Sequence, residues 1–373
     1  MTFYDIVRET KAYECLDCAV CTGSCPISRL DPDFSPRLTV RKAIYGLEKR
    51  VLDDPDLWSC LTCNVCSSRC PLEVDYVRFI RSARMESFSK GRRGIPSHDG
   101  LLQTIMELTG KNLNQRRTAW IDEGLKVSKK SKYLLFVGCL PYFDIAFESY
   151  ELSPLKLAID GLRLLNLIGI KPMVSVDERC CGHDLLWGGD VESFKALAGL
   201  NLDLIDKAKA KEVIFLCPEC YYTVKEDYRG YFGELSFRPR HISEFLVHSL
   251  GKLNLGDYPR KITYHDSCRM GRFLGIYDIP REIIGAIPGV ELLEMDKNRE
   301  NSLCCGTGQW MNCFNCSKKI QTERINQAIS TGAELLVTSC PKCQIHFRCA
   351  MRGGAPELEM TDLTSLIARA LRS

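Results

Sequence analysis

Residues 15–26 read CLDCAVCTGSCP, and residues 60–71 read CLTCNVCSSRCP. Each stretch has the spacing C-x2-C-x2-C-x3-C followed by proline, with which bacterial ferredoxins hold two [4Fe–4S] clusters. In that arrangement three thiolates of one run share a cluster with the fourth thiolate of the other run. The proline stops a helix from continuing through the fourth cysteine. The N-terminal part is therefore predicted to be a helical domain with two cubane clusters.

The ferredoxin spacing assigns four thiolates to each cubane. The first cluster takes Cys15, Cys18, Cys21 and Cys70, and the second takes Cys60, Cys63, Cys66 and Cys25. Zinc is the alternative ligand for closely spaced cysteines. A zinc ion takes four ligands, however, so a zinc site would leave half of these eight unused.

A second and longer cysteine pattern occupies the rest of the chain and also occurs twice. Its first copy is Cys139, Cys180, Cys181, Cys217 and Cys220, and its second is Cys268, Cys304, Cys305, Cys340 and Cys343. In each copy a glycine follows the cysteine doublet, and the last two cysteines lie in a CPxC segment. Two copies about 125 residues apart indicate a duplicated module. Adjacent cysteines favour a multi-iron cluster over the alternative, a pair of zinc ribbons, because both cannot bind one ion without strain.

Short β-rich runs end at cysteines in both modules, and helical segments separate them. The predicted strands are Tyr133–Val137, Pro172–Val176, Val213–Leu216, Lys261–Tyr264, Val290–Met295 and Leu335–Thr338. This alternation predicts parallel sheets, with the cysteines at the carboxyl ends of strands, where open α/β sheets bind their ligands. If a pseudo-twofold axis relates the modules, their clusters should face each other.

The predicted fold class is α+β and multi-domain. We expect a helical dicluster ferredoxin domain over residues 1–95, a linker helix region over 96–131, and two tandem α/β domains with small parallel sheets over 132–255 and 256–373. A chain of 373 residues, 45% of them hydrophobic, is long enough for two or three packed units.

Composition also bounds the location and the partners. The best apolar run, Leu162–Ile170, is too short for a bilayer and contains Arg163. Residues 1–10 do not form a secretion signal, and tight C-x2-C spacing then predicts metal in a reducing compartment. We therefore expect a cytoplasmic protein that reaches the inner membrane only through a partner. The basic runs are interpreted as solvated linkers, so no nucleic-acid partner is expected.

Taken together, the two patterns resemble the D-type subunit of heterodisulfide reductase, a fusion of the C-type subunit, which carries clusters, with the catalytic B-type subunit, which has CCG domains. The resemblance covers nearly the whole chain. It implies that each five-cysteine set holds a noncubane [4Fe–4S] cluster. It also implies that the mixed disulfide of coenzyme M and coenzyme B is split between these two clusters. CCG proteins also include cluster subunits of lactate, glycolate and glycerol-3-phosphate oxidoreductases.

Three residues beside the motifs are predicted to be catalytic. They are His183, directly after the first doublet and its glycine, His265, and Arg269, directly after Cys268. Related chains can carry histidine at the position of Arg269, and arginine binds anions but cannot act as an acid near neutrality. The histidines are thus the expected proton donors and Arg269 an expected anion-binding group. Both histidines have a plainer alternative, a hydrogen bond at a strand end or to a cluster sulfur.

Two functions fit the same sequence. In the first, electrons from the cubanes reduce a bound disulfide. In the second, the clusters only relay electrons to a membrane cytochrome or to quinone. The chain has no dinucleotide fingerprint, so a flavin- or hydrogenase/dehydrogenase-type donor subunit is expected in either case. Cys313, Cys316 and Cys349 lie outside the ligand sets, and Trp187 and Trp310 are predicted to cover the noncubane clusters.

Overall fold

The computed structural model describes residues 2–111 and 116–372. These residues form two compact units that do not follow chain order. The first unit comprises Met1–Glu107, Gly182–Phe194 and Leu303–Gln321, and the second comprises Leu108–Cys181, Lys195–Ser302 and Thr322–Ser373. The segment after each cysteine doublet therefore belongs to the same unit as the ferredoxin motif.

The first unit is helical, as its sequence predicts. Its α-helices are Phe3–Glu9, Val20–Ser24, Pro36–Ile44, Glu48–Leu52, Val65–Ser68, Tyr76–Ser89 and His183–Gly188. Ser35 and Asp75 cap two of them, because their side chains accept hydrogen bonds from amides in the first helical turn. Three more helices, Leu101–Thr109, Val191–Ala208 and Asn315–Ile329, have residues in both units. No helix among residues 2–111 and 116–372 is long and apolar enough to cross a membrane.

The second unit contains two small parallel sheets, one for each module. The first sheet has the order β1 (Tyr133–Phe136), β2 (Glu212–Phe215), β3 (Arg238–His241). The second consists of β4 (Arg260–His265), β5 (Val290–Leu292), β6 (Leu335–Thr338) and β7 (Glu359–Asp362), in the order β5-β4-β6-β7. Cys139, Cys217, Cys268 and Cys340 follow β1, β2, β4 and β6 within two or three residues, whereas neither doublet follows a strand directly.

The strand prediction was wrong in two respects. The predicted strand Pro172–Val176 is reduced to one bridge between Met173 and Leu134. The edge strands β3 and β7 were missed because their sequences, RPRH and EMTD, lack an apolar pattern. An edge strand tolerates Pro239 and charged side chains because one of its two sides carries no ladder.

The helices of the second unit connect the two modules. They are Leu140–Ala146, Pro154–Leu167, Pro218–Tyr222, Arg229–Phe232, Ile242–Val247, Asp278–Gly285, Pro341–Arg352 and Leu363–Arg369. Pro154–Leu167 packs against Leu363–Arg369, and Ile242–Val247 packs against Asp278–Gly285. Each pair joins a helix that follows the first strand of one module to the last helix of the other. The packing is thus reciprocal, as a duplicated module predicts, and one cluster of buried apolar side chains spans both sheets.

Candidate metal centres

The two C-x2-C-x2-C runs fold into matching loops. Left-handed backbone occurs at Asp17 and Ala19 in the first loop, with φ of 58° and 64°, and at Thr62 and Asn64 in the second, with φ of 47° and 67°. In both loops the amide two residues after the first cysteine donates to that cysteine's Sγ at 3.4 Å. Both loops then enter a short helix. The repeated turn brings the three cysteines of each run close together.

The fourth cysteine of each run lies near the other run. Burial, together with the charges of Cys63 and Cys60, raises the pKa of Cys25 to about 12. Cys15, Cys18, Cys21 and Cys70 line one small cavity of about 30 Å³. This arrangement fits the exchange of the fourth ligand between two cubanes.

The two ferredoxin sites differ in burial. Cys60, Cys63 and Cys66 are buried, whereas Cys18 is exposed and the neighbouring Leu16 is 71% exposed. The Cys15 site is therefore the more exposed of the two, and the Cys60 site is the more buried.

The five cysteines of the first module all lie in the second unit and contact one another. The Cys139 thiol is hydrogen-bonded to Cys180, and the Cys220 thiol to both Cys181 and Cys217. These contacts, together with burial, raise the pKa values of Cys139 and Cys220. Buried thiols packed this closely resist ionisation unless a positively charged metal core takes the place of their protons. The donor set thus fits an iron–sulfur cluster.

The CPxC segments of the two modules meet within the second unit. The Cys217 thiol is hydrogen-bonded to Cys340 as well as to Cys220, and these bonds lower its pKa. Beside them, Lys342 Nζ lies 2.7 Å from Glu219 Oε2, with side chains 4% and 15% exposed. Glu219 and Lys342 are the variable residues of CPEC and CPKC. An ion pair therefore joins matched positions of the duplicated module.

The second cysteine set is divided between the two compact units. Cys268, Cys340 and Cys343 lie in the second unit, and the doublet Cys304–Cys305 lies in the first. That these five bind one cluster stays a prediction.

Known protein families match both cysteine patterns of the chain. A 4Fe–4S dicluster domain matches residues 11–74, and a cysteine-rich CCG domain matches residues 133–225 and 262–348. The chain is 31% identical to the D-type subunit of the dihydromethanophenazine:CoB–CoM heterodisulfide reductase of Methanosarcina barkeri, over 68% of this chain and 63% of that protein. The chain is therefore an iron–sulfur protein similar to the D-type subunit of heterodisulfide reductase.

Other relatives of this chain are also iron–sulfur oxidoreductases or their subunits. It is 31% identical to the EtfAB:quinone oxidoreductase of Syntrophomonas wolfei, over 61% of this chain and 34% of that protein. It is 25% identical to the B-type subunit of the CoM/CoB fumarate reductase of Methanothermobacter marburgensis, over 95% of this chain and 72% of that protein. The match spans less than two thirds of the length of the first of these relatives, the M. barkeri protein.

A buried ion pair connects two cysteine loops of the first module. The Glu178 carboxylate accepts hydrogen bonds from the amides of Val137 and Gly138 at 3.0 and 2.7 Å, and from Arg117 at 2.8 Å. Burial raises the pKa of Glu178, against the opposing effect of Arg117 and the two amides. Glu178 precedes the doublet by two residues, and Gly138 directly precedes Cys139. The pair therefore positions the first cysteine relative to the doublet.

A different buried arginine acts at the matching place in the second module. Arg324 donates through Nη2 to Ser302 Oγ at 3.0 Å, and Ser302 Oγ donates to the carbonyl of Asp266 at 3.1 Å. Arg324 also donates through Nε to His265 Nδ1 at 3.0 Å. An arginine Nε can only donate, so His265 Nδ1 carries no proton and the imidazole proton is on Nε2. Burial lowers the pKa of Arg324 to about 10.

The three predicted catalytic residues are all buried. His183 begins the helix after the first doublet, with its ring centroid 5.8 Å from that of Trp187. His265 ends β4. The guanidinium of Arg269 lies 4.1 Å from the centre of the Phe273 ring and 5.5 Å from that of Tyr222. His265 and Arg269 lie in the second unit and His183 lies in the first.

The other residues noted in the sequence have ordinary surroundings. Trp187 and Trp310 are buried in the first unit. Thr307 donates its hydroxyl to Cys313 Sγ at 3.6 Å, and Cys349 donates to the Tyr150 hydroxyl at 3.9 Å. Cys316 is half-buried.

Sequence reasoning missed the charged residues that brace the cysteine loops. Only one pair had a usable signal, because Glu219 and Lys342 occupy the same position of the two CPxC copies with opposite charge. Arg117 and Arg324 are far in sequence from the residues they bind, and nothing local distinguishes them from surface arginines.

Proposed function

We propose that this chain is the iron–sulfur subunit of a heterodisulfide reductase-like complex. A disulfide such as CoM-S-S-CoB takes up two electrons and two protons and gives two thiols. When bound, two cubane clusters would carry single electrons to two noncubane clusters, which would bind the sulfur atoms. The observation that carries the proposal is the contact between Cys217 and Cys340, because it makes neighbours of one ligand from each predicted noncubane centre.

Different residues of the chain are proposed to receive electrons and to bind the substrate. The exposed Cys18 and the apolar Leu16 beside it suit the docking of a flavin- or hydrogenase/dehydrogenase-type donor subunit. The contact of the two CPxC segments suits a substrate that must reach two centres at once. The reciprocal helix packing joins the two modules that carry these segments.

His265 is proposed to donate a hydrogen bond rather than to act as an acid. Because Arg324 occupies Nδ1, the only proton of the ring is on Nε2, and losing it would leave an imidazolate. This favours a role in stabilising a developing thiolate. His183 is then the proposed proton donor, and Arg269 is proposed to supply positive charge for an anionic substrate group.

Reoxidation by disulfides tests the proposal. Anaerobically purified protein should contain about 16 iron and 16 sulfide per chain. After reduction with a low-potential donor, its visible absorbance should return on addition of a suitable disulfide. Cys268→Ser should abolish this return, whereas Cys313→Ser, at a cysteine outside the ligand sets, should leave it intact. Zinc in place of iron would refute the proposal.

A pure electron relay is the second candidate, and one observation favours it. A relative of similar identity is named as an EtfAB:quinone oxidoreductase. In this case a membrane cytochrome or a quinone-reactive subunit would accept the electrons. Reduced protein that is reoxidised by a quinone analogue, but by none of a panel of disulfides, would support the relay.

A further inference from the structure

Arg84 connects the ferredoxin loop at Cys60 to both doublet-following segments. Its side chain is completely buried. It donates to the carbonyls of Leu57 at 2.9 Å, Cys60 at 2.7 Å and Trp187 at 3.0 Å, and to Gln309 Oε1 at 2.8 Å. These four acceptors are neutral oxygens, and they come from the three separate stretches of the first unit.

Neighbouring contacts show that this junction is tightly built. Trp58 donates through its ring nitrogen to the carbonyl of Gly188, and Gln309 donates to the Thr62 hydroxyl at 3.0 Å. A Cβ on Gly189 would lie 2.6 Å from the carbonyl oxygen of Arg84. The guanidinium is therefore held in one place, beside the backbone of a predicted cluster ligand.

The two ferredoxin sites are alike in backbone and differ in burial. Both have the same amide-to-sulfur hydrogen bond at 3.4 Å. Reduction adds one negative charge to a cluster, and burial makes that addition harder by removing water. Burial alone would thus give the Cys60 site the lower potential and would oppose electron flow inward from the surface site. A fixed positive charge beside Cys60 acts in the opposite direction.

We propose that Arg84 raises the reduction potential of the cluster at the Cys60 site, so that electrons collect there before they leave the ferredoxin part. Arg84 is a positioning and charge-supplying residue for this cluster. It also links the cluster's ligand loop to the segments that follow the two doublets. The inference rests on the ligand sets of the proposed function, and it requires no disulfide chemistry.

Two variants change the charge by different routes. Arg84→Met removes the cation. Gln309→Glu keeps the shape of the junction but places a carboxylate on the guanidinium, which neutralises it. Arg84→Lys retains the charge and loses part of the hydrogen bonding. Arg78→Met is the matched control, because Arg78 lies on the same helix with its guanidinium at the surface, paired with Glu9.

The measurement is a redox titration of the anaerobic holoprotein, followed by the paramagnetic resonance of each reduced cubane. Arg84→Met and Gln309→Glu should each make one cubane at least tenfold harder to reduce, a downward shift of about 59 mV for one electron. The other cubane should not move, and Arg84→Lys and Arg78→Met should resemble the unaltered protein.

Three outcomes would overturn the inference. They are unchanged potentials in Gln309→Glu, equal shifts of both cubanes, and a shift in Arg84→Lys as large as in Arg84→Met. If Arg84→Met does not bind its clusters, Gln309→Glu alone decides. Failure of the proposed function is a separate result, because the unaltered protein would then show no cubane signals or no reoxidation by disulfides.

Discussion

Glu178→Gln should weaken the first module more than any surface charge change. The substitution retains the shape of the side chain and removes its charge. Arg117 is then left as a buried cation, because its side chain is 3% exposed and its carboxylate partner is gone. In addition, one of the amides of Val137 and Gly138 faces an NH2 group where it now faces an oxygen.

The expected loss of stability is about 4 kcal/mol. Removing one partner of a buried ion pair costs roughly 3–5 kcal/mol. A buried amide without an acceptor costs roughly 1–3 kcal/mol, but the cost for the ion pair already includes part of this amount. If the second unit unfolds cooperatively, this corresponds to a fall of about 8–16 °C in Tm for a unit of its size.

Anaerobic thermal unfolding, followed by circular dichroism and visible absorbance, measures the effect. Glu234→Gln is the control, because Glu234 also pairs with an arginine at 2.7 Å but both side chains are largely exposed. It should cost less than about 1 kcal/mol. The Glu178→Gln protein should also lose iron from the first module first. A variant with full iron content and a Tm within about 2 °C of the unaltered protein would refute the stabilising role of the ion pair between Glu178 and Arg117.

Three further outcomes are expected. Glu219→Gln should destabilise the contact of the CPxC segments by about 3 kcal/mol, measured from unfolding midpoints. The double exchange Glu219→Lys with Lys342→Glu should recover more than half of this loss. If it recovers none, Glu219 and Lys342 do not pair directly. Burial lowers the pKa of His241 to about 4 from 6.5, so its contribution to stability is present above pH 6.5 and is lost as the pH falls toward 4. Between pH 7 and 5.5 this loss is about 1.2 kcal/mol, and His241→Asn should show less of it in midpoints measured at both pH values. Gly306→Ala should lower the free energy of unfolding by about 2–4 kcal/mol, because φ is +87° and a Cβ would lie 2.7 Å from a backbone oxygen. The control Gly332→Ala, at φ +78° with open space around it, should lower it by only about 1 kcal/mol in the same assay.

Local patterns predicted what local chemistry determines. The cysteine spacing predicted the matching ferredoxin loops, because the turn that converges three thiols is set within a few residues. Five of the six predicted runs formed strands, β1, β2, β4, β5 and β6, for the same reason. The edge strands β3 and β7 escaped prediction because polar strands carry no periodic signal.

The braces of the cysteine loops depend on long-range contacts. Arg324 lies 59 residues from His265, and Arg84 lies 225 residues from Gln309. No periodicity connects such positions. The sequence alone therefore could not decide whether His265 is a proton-donating acid or only a hydrogen-bond donor. The contact with Arg324 narrows that choice by locating the ring proton.

The discontinuous first unit has a consequence for biosynthesis. Its last stretch, Leu303–Gln321, leaves the ribosome roughly 200 residues after Glu107, an interval of roughly 10–40 s at ordinary elongation rates. Throughout that time the nascent N-terminal part lacks the acceptor that Gln309 provides for Arg84, and at first it also lacks the carbonyl of Trp187. The first unit therefore cannot complete its folding until its last stretch is synthesised. An isolated fragment of the first 107 residues would lack two of the three stretches of this unit.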